Sequence, residues 1–219
     1  MTLENKKTMK KMTNLGWIAA GVLAGVMIFS GFGQSQEKLG IVDTNRLATT
    51  SKMGLRNTEN LRAALTSRDA LMTYMNENPT LTEEQATRLR ALATKTPMTE
   101  AEKTEETTIK KAIADDRKVF DDLNKKNPPT DAERQKLSEF NKRRSDTQIR
   151  LAKWQNEFQA ELQQLQNDVR TAESKNVKEV LTEIAKKGGY TVVLEQQIAP
   201  YGANDITDEC IKALDAKTN

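Results

Sequence analysis

LAKWQNEFQAELQQLQNDVRTA, residues 151–172, decides the fold. Leu151, Trp154, Phe158, Leu162, Leu165, Val169 and Ala172 recur at three- and four-residue spacings. That is a coiled-coil-like seam, a helix apolar along one narrow stripe. The pattern belongs to a helix over 130–187, closed by Gly188-Gly189. At 1.5 Å per residue its length is about 87 Å.

So narrow a stripe needs a second helical surface to cover it. Leu61, Leu65, Met72 and Met75 supply one on the outgoing side. Three helix starts repeat one device, a proline and then Thr with an acid or amide three residues on: Pro79 with Thr82 and Gln85, Pro97 with Thr99 and Glu102, Pro129 with Thr130 and Glu133. Each reads as a capping box behind a helix breaker. The spacing therefore predicts helices over 50–77, 82–96, 99–126 and 130–187. The first and third together match the last in length. On that reckoning Thr82–Thr96 is a side excursion of an antiparallel hairpin whose tip is Asn127-Pro128-Pro129; a simple bent hairpin also accommodates the breaks.

Strands flank this helical stretch. Leu39-Gly40-Ile41-Val42-Asp43 is a short β-branched run, with Thr44-Asn45-Arg46 read as a turn. Tyr190-Thr191-Val192-Val193-Leu194-Glu195 is a second strand, and Ile198–Tyr201 a third that Pro200 confines to an edge. A short helix follows from Thr207, its expected N-cap, with Cys210, Ile211 and Leu214 on its apolar side. So few strands cannot bury a stable core alone, so they must pair across the whole chain or with other copies. The fold class is mainly α with a small β-base, a long antiparallel helical arm over 50–187 being inserted between the strands of a β body at 38–48 and 188–217. Ile41, Val42, Tyr190, Val192, Val193, Leu194 and Ile206 are the expected oligomerisation residues of that body.

Composition agrees. Of 219 residues 30 % are charged and only 5 % aromatic, and the mean hydropathy is −0.70, which suits thin helices better than a large globular core. Histidine is absent and Cys210 is the single cysteine. Ser-His-Asp and Cys-His catalysis, His-ligated metals, CxxC sites and intrachain disulfides are thereby excluded. No cofactor and no enzymatic activity are expected.

Of 34 basic and 31 acidic residues, Lys6, Lys7, Lys10, Lys11 and Glu4 lie in residues 1–33, which leaves 30 of each sign. A neutral chain does not seek nucleic acid. The four lysines precede an uncharged apolar run, Trp17–Phe32, and then Ser30-Gly31-Phe32-Gly33. Residues 1–33 read as a secretory signal cleaved after Gly33, or as an uncleaved signal anchor. Either one exports the rest of the chain.

Lys38–Leu47 resembles the opening strand and turn of the OmpH-like family, the Skp periplasmic chaperones. Glu183–Leu194 resembles that family's passage from helix to strand, and Asp205–Leu214 its closing helix. The resemblance implies a periplasmic homotrimer in which a small β body carries three helical tentacles around a cavity. Unfolded outer-membrane proteins are held there without ATP. A membrane-anchored coiled-coil tether of the envelope is the alternative. Three features depart from the family: the Thr82–Thr96 excursion, the neutral mature charge, and Cys210 where an aliphatic residue is expected.

Within that frame Met72, Met75, Trp154 and Phe158 are candidates for lining the client cavity, or else packing residues of the hairpin. Residues 134–153 carry seven basic and two acidic side chains. Lys142, Arg143, Arg144 and Arg150 could touch a membrane surface, anionic lipid or acidic client segments, or form a solvated face. Glu100, Glu102, Glu105 and Glu106 are read as partners of neighbouring lysines, such as Glu106 with Lys110. Cys210 is read as a buried small hydrophobe rather than an interchain crosslink.

Overall fold

A computed structural model describes residues 38–95, 97–199 and 204–217. The elements are β1 (Leu39–Val42), α1 (Thr44–Thr50), α2 (Lys52–Glu77), α3 (Glu83–Ala93), α4 (Glu100–Asn124), α5 (Asp131–Gly188), β2 (Val192–Glu195) and α6 (Thr207–Lys217). The described residues form two compact units, one from those up to Glu59 together with those from Asn167 onward, the other from those between Asn60 and Gln166. Residues 1–37 lie outside the described residues, and with them the signal or anchor segment.

In the first unit β1 and β2 pair in parallel, Leu39 with Val192 through Val42 with Glu195. Parallel neighbours need a long crossover, supplied here by all the helices between them. The expected third strand is corrected. The Ile198 and Ala199 N–H groups both donate to the Glu195 carbonyl, at 2.9 and 3.2 Å, so the chain turns there; residues 200–201 lie outside the described residues. The far edge of β1 is taken by Asp205 instead, with the Ile41 N–H donating to Asn204 and the Ile206 N–H to Ile41.

Thr44-Asn45-Arg46 is likewise not a turn but the first turn of α1. The Asp43 carboxylate accepts from the Arg46 N–H at 2.9 Å, capping the helix in the manner expected of Asp. Thr207 is the first residue of α6 rather than its cap. Its N–H donates to the Asp205 carboxylate at 2.8 Å, and its hydroxyl accepts from the Asp43 N–H at 2.9 Å. Gly189, at φ 69°, ends α5 in the left-handed conformation, and the Tyr190 N–H donates back to Ala185. Val42, Leu47, Val177, Val180, Leu181, Ala185, Val193, Ile206, Cys210 and Leu214 form the core of this unit.

The second unit is built by the three capping boxes. The Thr82, Thr99 and Thr130 hydroxyls accept from the Gln85, Glu102 and Glu133 N–H groups, and each of those side chains accepts a Thr N–H in return. α3 is more than a side excursion. Its flank, Leu81, Ala86 and Leu89, packs against Leu71 and Met75 of α2, Ile113 of α4, and Leu151, Trp154 and Phe158 of α5.

The seam holds over part of its length. Leu151, Trp154, Phe158 and Leu162 are buried, Leu165 and Val169 half-buried, and Ala172 exposed. A 3.5-residue repeat drifts by about 20° per heptad on a straight 3.6-residue helix. Three heptads thus carry Ala172 off the packed side, and the core stripe of the first unit resumes at Val177, Val180 and Leu181.

Candidate functional site

The small sheet offers one surface to its own helices and another away from them. In a parallel pair, partners in register share a face, so Gly40, Val42, Val193 and Glu195 lie on one side and Leu39, Ile41, Val192 and Leu194 on the other. Val42 and Val193 belong to the core beneath. On the opposite face Leu39 is 47 % exposed, and Val192 and Leu194 are half-buried. Just past β2, Ile198 is 65 % exposed.

The seven expected oligomerisation residues therefore divide. Val42, Val193 and Ile206 are used by the intrachain core, and Ile41 is buried as well. Tyr190 packs against that core, with the Lys38 ammonium 4.3 Å from its ring centre. Val192 and Leu194 stay half-buried outside that core, and Leu39 is exposed beside them. Strand alternation was the signal that could have picked it. Glu195, on the core side, accepts from the Thr44 N–H at 3.3 Å, and burial pushes its carboxyl above the ordinary range.

The four cavity candidates do not line an open surface. Met75, Trp154 and Phe158 are 0, 6 and 4 % exposed, and Met72 packs against the same cluster. Four helices converge there, so the residues read as candidate contacts are core. Arg90 of α3 closes the cluster. Its guanidinium lies 5.0 Å from the Trp154 ring centre and 4.8 Å from that of Phe158, and it donates to Glu157 and, at 2.6 Å, to Glu161. Arg68 stands 5.5 Å over Phe158 and also donates to Glu161, at 3.1 Å. The Arg90 hydrogen bond holds the Glu157 carboxyl below its ordinary range. Sequence reading missed Leu71, Leu81 and Ile113. Leu71 lay within the outgoing apolar spacing already recognised, Leu81 falls between a proline and a capping threonine, and Ile113 follows Ile109 by one turn in a strongly charged helix.

The basic patch is largely neutralised by carboxylates, two from α5 itself and two from α3 and α4. Arg143 pairs with Asp116 at 3.1 Å and with Glu139, Lys142 with Asp146 at 3.5 Å, and Arg150 with Glu83 at 3.8 Å. Among the described residues Arg144 alone of the four has no carboxylate partner. It lies 5.5 Å from the Phe120 ring centre and lines an open recess of about 330 Å³ with Pro79, Asn141, Ser145 and Gln148. In the acidic run Glu106 pairs with Lys110 at 2.6 Å as read, whereas Glu105 pairs with Arg88 of α3 at 2.5 Å.

Cys210 is fully buried, and burial pushes its thiol up to about 12. A group so placed is neither a nucleophile nor a ready crosslink. Among the described residues no group of three or more acidic or cysteine side chains is placed to hold a metal ion.

No curated protein and no solved structure matches the chain. Residues 38–214 match the family described as Outer membrane protein (OmpH-like), a span running from β1 through the whole arm into α6. With that match over most of its length, and with the two strands and the helical arm in the order expected, the chain belongs to the OmpH-like family.

Proposed function

We propose that this protein is an ATP-independent holdase of the periplasm, binding unfolded outer-membrane proteins in a cavity between the helical arms of a homotrimer. Family membership over 38–214 carries the reading: it supports a chaperone rather than an enzyme, with a role in outer-membrane protein biogenesis. The sheet face on which Leu39 is exposed and Val192 and Leu194 are half-buried supports self-association, since among the described residues the two strands pair only with each other and one bridge, and so small a sheet does not make a stable core alone. Many weak, reversible contacts suit a client that must leave unchanged. A contact with anionic lipid rests on Arg144 alone, because its three neighbours are paired.

The anchored-tether reading rests on Trp17–Phe32. Among the described residues no helix is long and apolar enough to cross a membrane. The test uses residues 34–219 and an unfolded outer-membrane β-barrel protein diluted from denaturant. Light scattering should be suppressed at about one trimer per client without nucleotide. A folded oligomer that suppresses nothing overturns the holdase and leaves the tether.

A further inference from the structure

α3 is an unusual part of the arm. With 11 residues it is shorter than the ~12–15 that isolated helices need in water, so docking is what keeps it helical. Non-helical residues at 78–82 and at 94–95 and 97–99, Pro79 and Pro97 among them, flank it toward α2 and α4. It can therefore leave without breaking a hydrogen bond inside either neighbour.

Its grip is an apolar contact and a set of ion pairs, in which Arg88 meets Glu105 of α4 and Glu83 meets Arg150 of α5. Leu81, Ala86 and Leu89 are buried against Met75, Trp154 and Phe158. Arg90 bridges Glu157 and Glu161 from a side chain that is 23 % exposed, against partners at 35 and 38 %. Ion pairs so open to water are weak and salt-sensitive. If α3 left, an apolar groove with two aromatic rings would open, with two carboxylates at its rim.

We propose that α3 is a displaceable internal ligand: it occupies a groove on α2, α4 and α5 that accepts, in its place, an amphipathic polypeptide segment with an aliphatic stripe and an adjacent basic residue. The inference rests on the holdase reading for its biological sense, though not for its test. Leu89 and Arg90 show what the groove accepts, an aliphatic side chain beside a cation. Segments of low local stability are the ones proteins open for binding. The residues expected to line a client surface thus line one that α3 covers.

The test uses the full chain carrying Arg90→Glu, which sets a carboxylate against Glu157 and Glu161 and loosens the chain's own α3. The probe is a fluorescent synthetic peptide of residues 80–95, followed by anisotropy. It should bind the variant at least about fivefold more tightly than the unsubstituted chain, and a peptide with Leu81→Ser and Leu89→Ser should not bind. Absence of binding to a variant that remains helical by circular dichroism overturns the proposal.

Hydrogen exchange of the unsubstituted full chain provides the second measurement, needed if the variant does not fold. Amides of 83–93 should exchange at least about tenfold faster than those of 151–158; equal rates mean that α3 opens only with the whole unit, which overturns the proposal. An unfolded β-barrel client that is retained without raising exchange at 83–93 also overturns it and leaves the holdase standing. A client that is not retained counts against the holdase, while the peptide result still decides the groove.

Discussion

At the residue scale, aromatic and cationic side chains exchange the roles their chemistry suggests. Trp154 is a packing residue, so Trp154→Ala should cost about 3–5 kcal/mol in urea denaturation, the usual range for deleting a buried large aromatic. Arg144→Ala should stay within about 0.5 kcal/mol, because nothing charged depends on it. Cys210 should be silent toward a thiol reagent at pH 8 in the native protein and react fully once the protein is denatured. Fast native reaction would show that the thiol is not held at about 12 by burial. The fate of Trp154 and Phe158 was only half legible in the sequence. Spacing gave the side of the helix they share, but a stripe at 3.5-residue spacing is the same string whether it meets another helix or a client. What resolved it was α3, whose apolar flank is short and interrupted by charge.

Helix starts, by contrast, were readable from composition alone, because a capping box is a contact between residues three apart. All three boxes formed where proline, threonine and an acid or amide predicted them. α6 was misjudged at its first residue for the opposite reason, since the Thr207 hydroxyl is taken by the Asp43 N–H, 164 residues away in the chain, whereas the cap of α1, Asp43 to the Arg46 N–H, is as local as the boxes. The boxes also carry a pH signature. Lys95 first, and then the Thr99 N–H, hold the Glu102 carboxyl at about 2; Lys126 and Thr130 do the same for Glu133. A carboxyl lowered by folding stabilises above its unfolded value, near 4.5, and that contribution fades as pH falls from there toward 2. Glu102→Ala should therefore lower the melting temperature at pH 7, and the difference from the parent chain should shrink steadily below about pH 4.5. A difference that is constant from pH 7 to pH 2.5 would mean the carboxylate charge adds nothing to the cap.

At the scale of the whole molecule, the β body should be the part most sensitive to association. Val192→Lys with Leu194→Lys places two ammonium groups on the sheet face opposite Val42 and Val193, which stay in their core. Sedimentation should then show a shift from oligomer toward monomer, with the helical circular dichroism retained; an unchanged oligomer would remove that face from the interface. The long helices and the two strands were legible because periodicity and turn residues are local, whereas the edge partner of β1 was not, since Asp205 belongs to no strand-like run. One further consequence follows from the way β1 is held. Lys38 donates to the Gly188 carbonyl across 150 residues, and every partner of β1 lies in the last thirty or so. During synthesis the first strand emerges early and has nothing to pair with until the end of the chain arrives. Closing so long a loop is entropically slow. The arm is thus free to form on the growing chain well before the base, and a chain truncated before Val192 would possess helices but no way to assemble.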